Sequence, residues 1–386
     1  MNFVPLMIKN LLRNKRRTFL TISSIAVSLF LVATLRTILT ELNNPPETPD
    51  SALRLVTRHR ISLFNALPSA HRESIARVPG VEAVVGSLWF GGIYKEPSNF
   101  FANFSVDADD FFRVYPDIEM SPEQQEAFRQ DRTGAIAGDS LAARFGWKLG
   151  ERIFLQSSTW PISGVELTLR GIYEGGPDQG GAFYFHWEYF NEAMKDYFGG
   201  WDNTGTFAVR VASPELVPRV AEEIDQLFRN SSFPTKTETE RAFLLSFVSM
   251  LGDVQFFITS IVSVVVFTIL LVAANTMAMS IRERVREIGI LKALGFRSRQ
   301  VLGLLVGESV VLALGGALLG SWGAKLIFSS INMAAVTSGF IQRFQVTPGT
   351  LMLCVAIGVF VGVFSAGIPA LQAARRPVAD AIRRVA

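Results

Sequence analysis

The chain has 386 residues, 49% of them hydrophobic, with a mean hydropathy of +0.30 and a single cysteine. That composition excludes a disordered chain and a disulfide-stapled secreted domain, and it suits a protein that is part membrane-embedded and part soluble. Its 37 Lys/Arg and 34 Asp/Glu leave a net charge of only +3.

Residues 1–17 read as a basic cytoplasmic segment carrying Lys9, Arg13, Lys15, Arg16 and Arg17. Residues 18–40 read as the first transmembrane helix, apolar except for Arg36. A signal peptide is not expected, because the apolar run is too long and Leu31–Arg36 is a poor small-residue cleavage site.

Residues 41–245 hold 19 Lys/Arg and 29 Asp/Glu, a net charge of −10 against +13 for the rest of the chain. The positive balance therefore reports topology, and nucleic acid is not expected as a partner. Pro45-Pro46-Glu47-Thr48-Pro49 breaks any helix leaving the first span. Val81–Val85, Glu166–Arg170 and Thr206–Val211 alternate like strands. Ser121–Arg129 and Pro214–Asn230 read as helices, the second with Ser213 as its N-cap. The expectation is an α+β domain of several short strands. Phe100, Phe101, Phe104, Phe111 and Phe112 are expected in its core, a lipid- or peptide-contacting surface being the other reading.

His59, His71 and His186 read as surface histidines, since His186-Trp-Glu188 alone makes no metal site. Gly175–Gly181 lacks the Lys-Ser/Thr of a phosphate loop and reads as a turn. With no catalytic constellation visible, no catalytic, metal or cofactor-binding residue is assigned, and an enzyme is not expected.

Residues 250–280 form the second span, 281–299 a charged loop, 300–330 the third span, 331–349 a short extracytoplasmic loop, 350–371 the fourth span and 372–386 a tail. Each span can cross a hydrocarbon core of about 30 Å, which takes about 20 helical residues. The charged loop carries Arg282, Arg284, Arg286, Lys292, Arg297 and Arg299, and the tail carries Arg375, Arg376, Arg383 and Arg384, whereas the short loop has only Arg343. This bias puts both termini and the central loop in the cytoplasm and the large domain outside. Cys354 falls in the fourth span, so no disulfide staples the exterior domain.

Within the charged loop, Ile281, Val285, Ile288, Leu291 and Leu294 recur on one helical stripe, with Arg282, Glu283, Arg286 and Glu287 on the other faces and Gly295 as the stop. Acidic residues one turn apart among the cations favour a protein partner over anionic lipid.

This segment, Arg282-Glu-Arg-Val-Arg-Glu-Ile-Gly-Ile-Leu-Lys-Ala-Leu-Gly295, resembles the hallmark of the FtsX/MacB-type permeases, the type VII ABC transporters. Leu11–Thr21 and Gly367–Ile382 are similar to the family's opening and closing motifs. Val106–Val114 and Gly138–Phe145 are similar to its MacB-like periplasmic core. The resemblance implies four transmembrane α-helices with a large α+β extracytoplasmic domain, a MacB-like periplasmic core, inserted between helices 1 and 2. It implies a multi-pass protein of the bacterial cytoplasmic (inner) membrane, working as a dimer with a second copy or a homologous permease.

It also implies coupling to a cytoplasmic ABC ATPase through Glu283, Arg284, Arg286, Glu287, Ile288, Leu291, Leu294 and Gly295. The sequence has no GxxxxGK[ST], so the ATPase is expected on a separate polypeptide, with ATP and Mg²⁺ bound there and no cofactor here. A periplasmic membrane-fusion protein and an outer-membrane channel are further partners of such exporters. The implied mechanism is mechanotransmission of ATPase motion to the exterior domain, moving a hydrophobic or amphipathic cargo. A LolC/LolE-like lipoprotein-releasing permease and an FtsX-like regulator of cell-wall hydrolases are the alternatives.

Glu308 is the intramembrane charge farthest from a span end. It reads equally as a gating group or as the partner of a loop arginine. Gly315, Gly316, Gly320, Gly358 and Gly362 read either as a packing seam, Gly358 and Gly362 in a GxxxG spacing, or as glycines merely common in membrane helices.

Overall fold

The computed structural model describes residues 13–44, 48–99, 101–176, 180–199, 201–250, 252–331 and 344–375. Two compact units divide them, one from Met1–Leu42, Gly252–Ile331 and Phe344–Ala386 and the other from Asn43–Leu251 and Asn332–Arg343. Lys9, Pro45, Pro46, Glu47, Phe100, Arg343, Arg376, Arg383, Arg384 and the outer parts of the two terminal motifs lie outside the described residues.

In the first unit, four helices among the described residues are long and apolar enough to cross a membrane: Lys15–Asn43, Val254–Glu283, Ser298–Ser330 and Pro348–Arg375, here spans one to four. Their ends differ from the sequence expectation for local reasons. Residue 250 closes a separate helix, Glu240–Met250; Gly252 then turns the chain at φ +93°, and Asp253 caps span two by accepting from the Phe256 amide at 2.9 Å. Span two runs on to Glu283, taking in residues expected in the loop. Ile25, Leu29, Val32, Ile269, Ala273, Ala313, Ala317 and Val361 form the buried centre of this unit.

The glycines pack unequally. A Cβ on Gly320 would lie 2.2 Å from the Ala26 carbonyl oxygen of span one, and one on Gly362 would lie 2.6 Å from Val310 Cα of span three. A Cβ on Gly316 would meet the Ile25 side chain of span one at 2.6 Å and one on Gly358 the Ala317 side chain of span three at 2.8 Å, so these close approaches fall on two interfaces, span one with span three and span three with span four. Gly315 is the exception: its nearest such neighbour is the Ile22 tip, 3.9 Å away.

The second unit is the inserted domain. Its main sheet has strands in the order Thr235–Thr239, Arg54–His59, Thr206–Val211, Val81–Trp89, Ala102–Val106, Ala182–His186, Gly134–Gly138, Gly164–Gly175, Arg152–Ser157 and Gly92–Ile93, with Ile118–Glu119 paired to the long Gly164–Gly175 strand. Ala182–His186 and Gly134–Gly138 are buried at every residue because helices and loops cover both faces. The helix expected at Ser121–Arg129 runs Pro122–Gln130, and Ser121 Oγ accepts from the Gln124 amide. The helix expected from Pro214 begins as one 3₁₀ turn and continues as Val217–Leu227. Ser213 sits at its N-cap position in extended conformation, but its side chain makes no capping hydrogen bond.

Phe101 and Phe111 are fully buried, and Phe104 and Phe112 pack against the core. The histidines depart from the surface reading. His59 and His186 are buried, His59 Nδ1 accepting from the Ile61 amide and His186 Nε2 bonded to the Phe128 carbonyl at 2.5 Å, while His71 stacks on Phe228 at 3.9 Å. Gly176 and Gly180 are turn residues with positive φ.

Candidate functional site

The loop between spans two and three is built by two breaks. Span two ends at Glu283, where Arg284 leaves the helical region at φ −106°, ψ 12°, and a short helix follows from Val285 to Ala293. That helix closes on Gly295, with φ +94°: the Gly295 amide donates to the Lys292 carbonyl and the Phe296 amide to the Leu291 carbonyl, both at 3.1 Å. This pair of hydrogen bonds is the Schellman closure that a left-handed glycine permits. Span three then opens with the Gln300 side chain accepting from the Arg297 amide at 2.8 Å.

The break changes the expected apolar stripe. Ile281 and Ile288 are buried against Val301 and Leu305 of span three and Ala370 and Ala373 of span four. Val285 and Leu291 are half-buried, but Leu294 is 73% exposed. The stripe divides because the chain does not hold one helical phase through Arg284. The outward side carries Arg282, Arg286, Ile290 and Leu294. Ile290, lying off the stripe, was missed by the periodic reading.

The charges form a connected set. Arg284 Nη1 lies 2.9 Å from both oxygens of Glu308, which is buried within span three, and Arg284 Nε donates to Glu287 at 3.1 Å. Glu287 is also paired with Arg13, and Glu283 with Arg17, so both loop carboxylates are tied to the segment that opens span one. Burial opposes the charge on Glu287, yet the hydrogen bonds from Arg13 and Arg284 hold its carboxyl below the usual range. Burial likewise opposes the charge on Arg284, but Glu308 and Glu287 outweigh it and raise the guanidinium above its ordinary value. Lys292 Nζ donates to the Ala374 carbonyl at 3.0 Å, tying the short helix to the end of span four. The helix is thus locked to its own membrane unit on one side and bare on the other.

A second ionic cluster sits at the root of the inserted domain. Arg54 is 1% exposed; its Nη atoms bind both oxygens of Asp117 at 2.6 and 2.9 Å, and its Nε donates to Glu240 at 2.9 Å. The guanidinium also lies 5.0 Å from the Tyr115 ring centre. Sequence reasoning missed this cluster because its members are 63 and 186 positions apart. Among the described residues, no group of three His, Cys, Asp or Glu is placed to hold a metal ion.

Comparison with known families agrees with this architecture. Residues 18–227 match the MacB-like periplasmic core domain, and residues 259–378 match the FtsX-like permease C-terminal domain. The chain belongs to the FtsX/MacB-type ABC transporter permeases. Among relatives of this permease, the uncharacterized ABC transporter permease MJ1507 of Methanocaldococcus jannaschii is 25% identical over 76% of this chain and 75% of its own. The uncharacterized ABC transporter permease YknZ of Bacillus subtilis is 30% identical over 49% of this chain and 47% of its own. The macrolide export ATP-binding/permease protein MacB of Chromobacterium violaceum is 34% identical, but over 28% of this chain and only 16% of its own. A crystal structure of the extracellular domain of the ABC-type transporter YknZ aligns with 48% of this chain and 99% of that one, at 13% identity and a TM-score of 0.36. As an ABC permease the protein is a multi-pass membrane component of a transport system, and members of this family work with ATPase partners.

Proposed function

We propose that this chain is the permease subunit of a MacB-type, ATP-driven exporter, in which a separate ABC ATPase docks on the Val285–Ala293 helix and its motion is passed to the extracytoplasmic domain. ATP and Mg²⁺ belong to the ATPase. Two such permeases, or one with a homologue, would complete the assembly in a cytoplasmic membrane, with both termini on the ATPase side. The charge bias of the loops supports that orientation.

The observation that carries the reading is the two-sided helix. Its inner side is held by the Arg284–Glu308 pair, Ile288 and Lys292, while Arg282, Arg286, Ile290 and Leu294 are left bare at one end of the spans. A displacement applied there moves spans two and three together, because Arg284 joins the corner of one to buried Glu308 in the loop-side third of the other. Since Glu283 and Glu287 are occupied by Arg17 and Arg13, the docking chemistry falls to the arginines and the two exposed aliphatics. The complementary groove is therefore acidic at its rim and apolar at its floor. Relatives named for macrolide export and pyoverdine export support a hydrophobic or amphipathic cargo moved outward.

The test is affinity purification of the permease from its own membrane, wild type against Arg282→Glu/Arg286→Glu. Wild type should bring down an ABC ATPase, and the variant should retain about a tenth or less of it while inserting normally. Equal recovery from both would overturn the docking face. Recovery with a cell-wall hydrolase or a lipoprotein carrier, without a membrane-fusion protein, would replace export by the regulator or lipoprotein-release reading.

A further inference from the structure

We infer that Arg54, held by Asp117 and Glu240, is the positioning residue through which movement of span two enters the sheet of the inserted domain; this rests on the proposed reading that ATPase motion crosses the membrane. Glu240 is the first residue of the helix Glu240–Met250, which leads through Gly252 and Asp253 into span two. Arg54 opens the strand Arg54–His59, the first strand after span one. Asp117 belongs to neither root. Its carbonyl accepts from the Gly176 amide at 2.8 Å, at the end of the long strand Gly164–Gly175, and five strands separate that strand from Arg54–His59 in the sheet order.

One guanidinium therefore joins the strand after span one, the helix before span two and the far half of the sheet. A second tie reinforces the helix: Ser246 Oγ donates to Glu238 at 3.3 Å, and Glu238 accepts from Arg58 at 2.9 Å. Ion pairs buried to this degree are a poor way to gain stability, because well-packed apolar side chains of similar volume usually hold a core as well or better. What the charges supply is direction. Arg54 makes a bidentate fork to Asp117 and a separate bond to Glu240, so a displaced Glu240 drags the guanidinium and the Asp117 loop with it. Apolar contacts would slide.

The experiment uses the full permease purified with its ATPase, with hydrogen exchange measured without nucleotide and with ATP trapped by vanadate. Wild type should change exchange both in the short helix 285–293 and in residues 115–119, the latter by about fivefold or more, the lower range of usual coupling between sites. Glu240→Gln should keep the change at 285–293 and lose it at 115–119. The triple variant Arg54→Met/Asp117→Leu/Glu240→Leu should behave the same way, and its apolar cluster preserves the fold should the single variant fail to fold. An undiminished nucleotide response at 115–119 in either folded variant overturns the inference, as does loss of the domain fold in both, which would make the cluster purely structural. No change at 285–293 in wild type would overturn the docking reading itself, and this inference with it.

Discussion

Two arginines hold two corners of this permease, and they do so in different surroundings. Arg284 binds Glu308 and Glu287 where span two ends, and Arg54 binds Asp117 and Glu240 where the inserted domain is rooted. Arg284 keeps 17% of its side-chain surface and Glu287 keeps 38%, so water reaches that corner. Arg54 keeps 1%, and its two carboxylates 12% each. The same ionic device has one screened arm at the loop, Arg284–Glu287, beside the buried Arg284–Glu308 pair, and only buried arms at the domain root. Water screens the Arg284–Glu287 pair and lets it re-form at small cost as the short helix is pushed, whereas Arg284–Glu308 and both Arg54 pairs are buried and costly to break.

Replacing each arginine by Met separates the two cases. Arg54→Met leaves two carboxylates buried without a counter-charge and should destabilise the inserted domain by about 3–5 kcal/mol. Five of the six tryptophans lie in that domain, so denaturant unfolding of the full protein followed by tryptophan fluorescence reads the loss directly. Arg284→Met leaves one buried carboxylate, Glu308, without its counter-charge and should cost about 3 kcal/mol, felt in the membrane unit. It should appear as faster hydrogen exchange in 285–293, with the tryptophan transition unmoved. An equal effect of both variants on that transition would erase the distinction.

Packing supplies a contrast that involves no charge. Gly320→Val forces a side chain against the backbone of span one and should cost about 1–3 kcal/mol of membrane-unit stability, while Gly315→Val, which meets only the flexible tip of Ile22 at 3.9 Å, should fall within about 0.5 kcal/mol. Thermal inactivation of the detergent-solubilised protein would rank them. Equal melting would mean that the two spans part easily.

The smallest expected effect is one of pH. Burial beside Phe228 holds His71 below its ordinary value of 6.5. A depressed folded value means that His71 stabilises the domain above pH 6.5, and that this contribution is lost as pH falls through the folded value. The unfolding midpoint should drop between pH 7 and 5 more in wild type than in His71→Leu. Parallel curves would show that the ring titrates freely.

The spans, the inserted domain and most of the strands and helices named in advance were legible because each depends on local pattern: apolar runs of sufficient length, alternation at Thr206–Val211, a Pro and a cap at Ser121–Pro122. The loop was legible only in part. Gly295 as the stop followed from its freedom at positive φ, but the break at Arg284 did not follow from periodicity, which continued through it. Ile281 and Leu294 therefore ended on opposite sides of the burial boundary. The carboxylates Glu283 and Glu287 read as docking groups because nothing in the spacing reveals that Arg17 and Arg13, more than 260 positions away, are beside them.

By itself, the sequence determined where membrane-length helices lie, which loops are cationic, and that an α+β domain separates the first two spans. Hydropathy and charge act on short stretches of chain and survive without knowledge of neighbours. Only the tertiary structure decided which glycines approach a backbone, that Glu308 is paired by Arg284, and that Arg54 is buried between two carboxylates. Those outcomes depend on which distant side chains share a low-dielectric space, and the cost of leaving a charge unpaired there is settled only once the chain has closed around it.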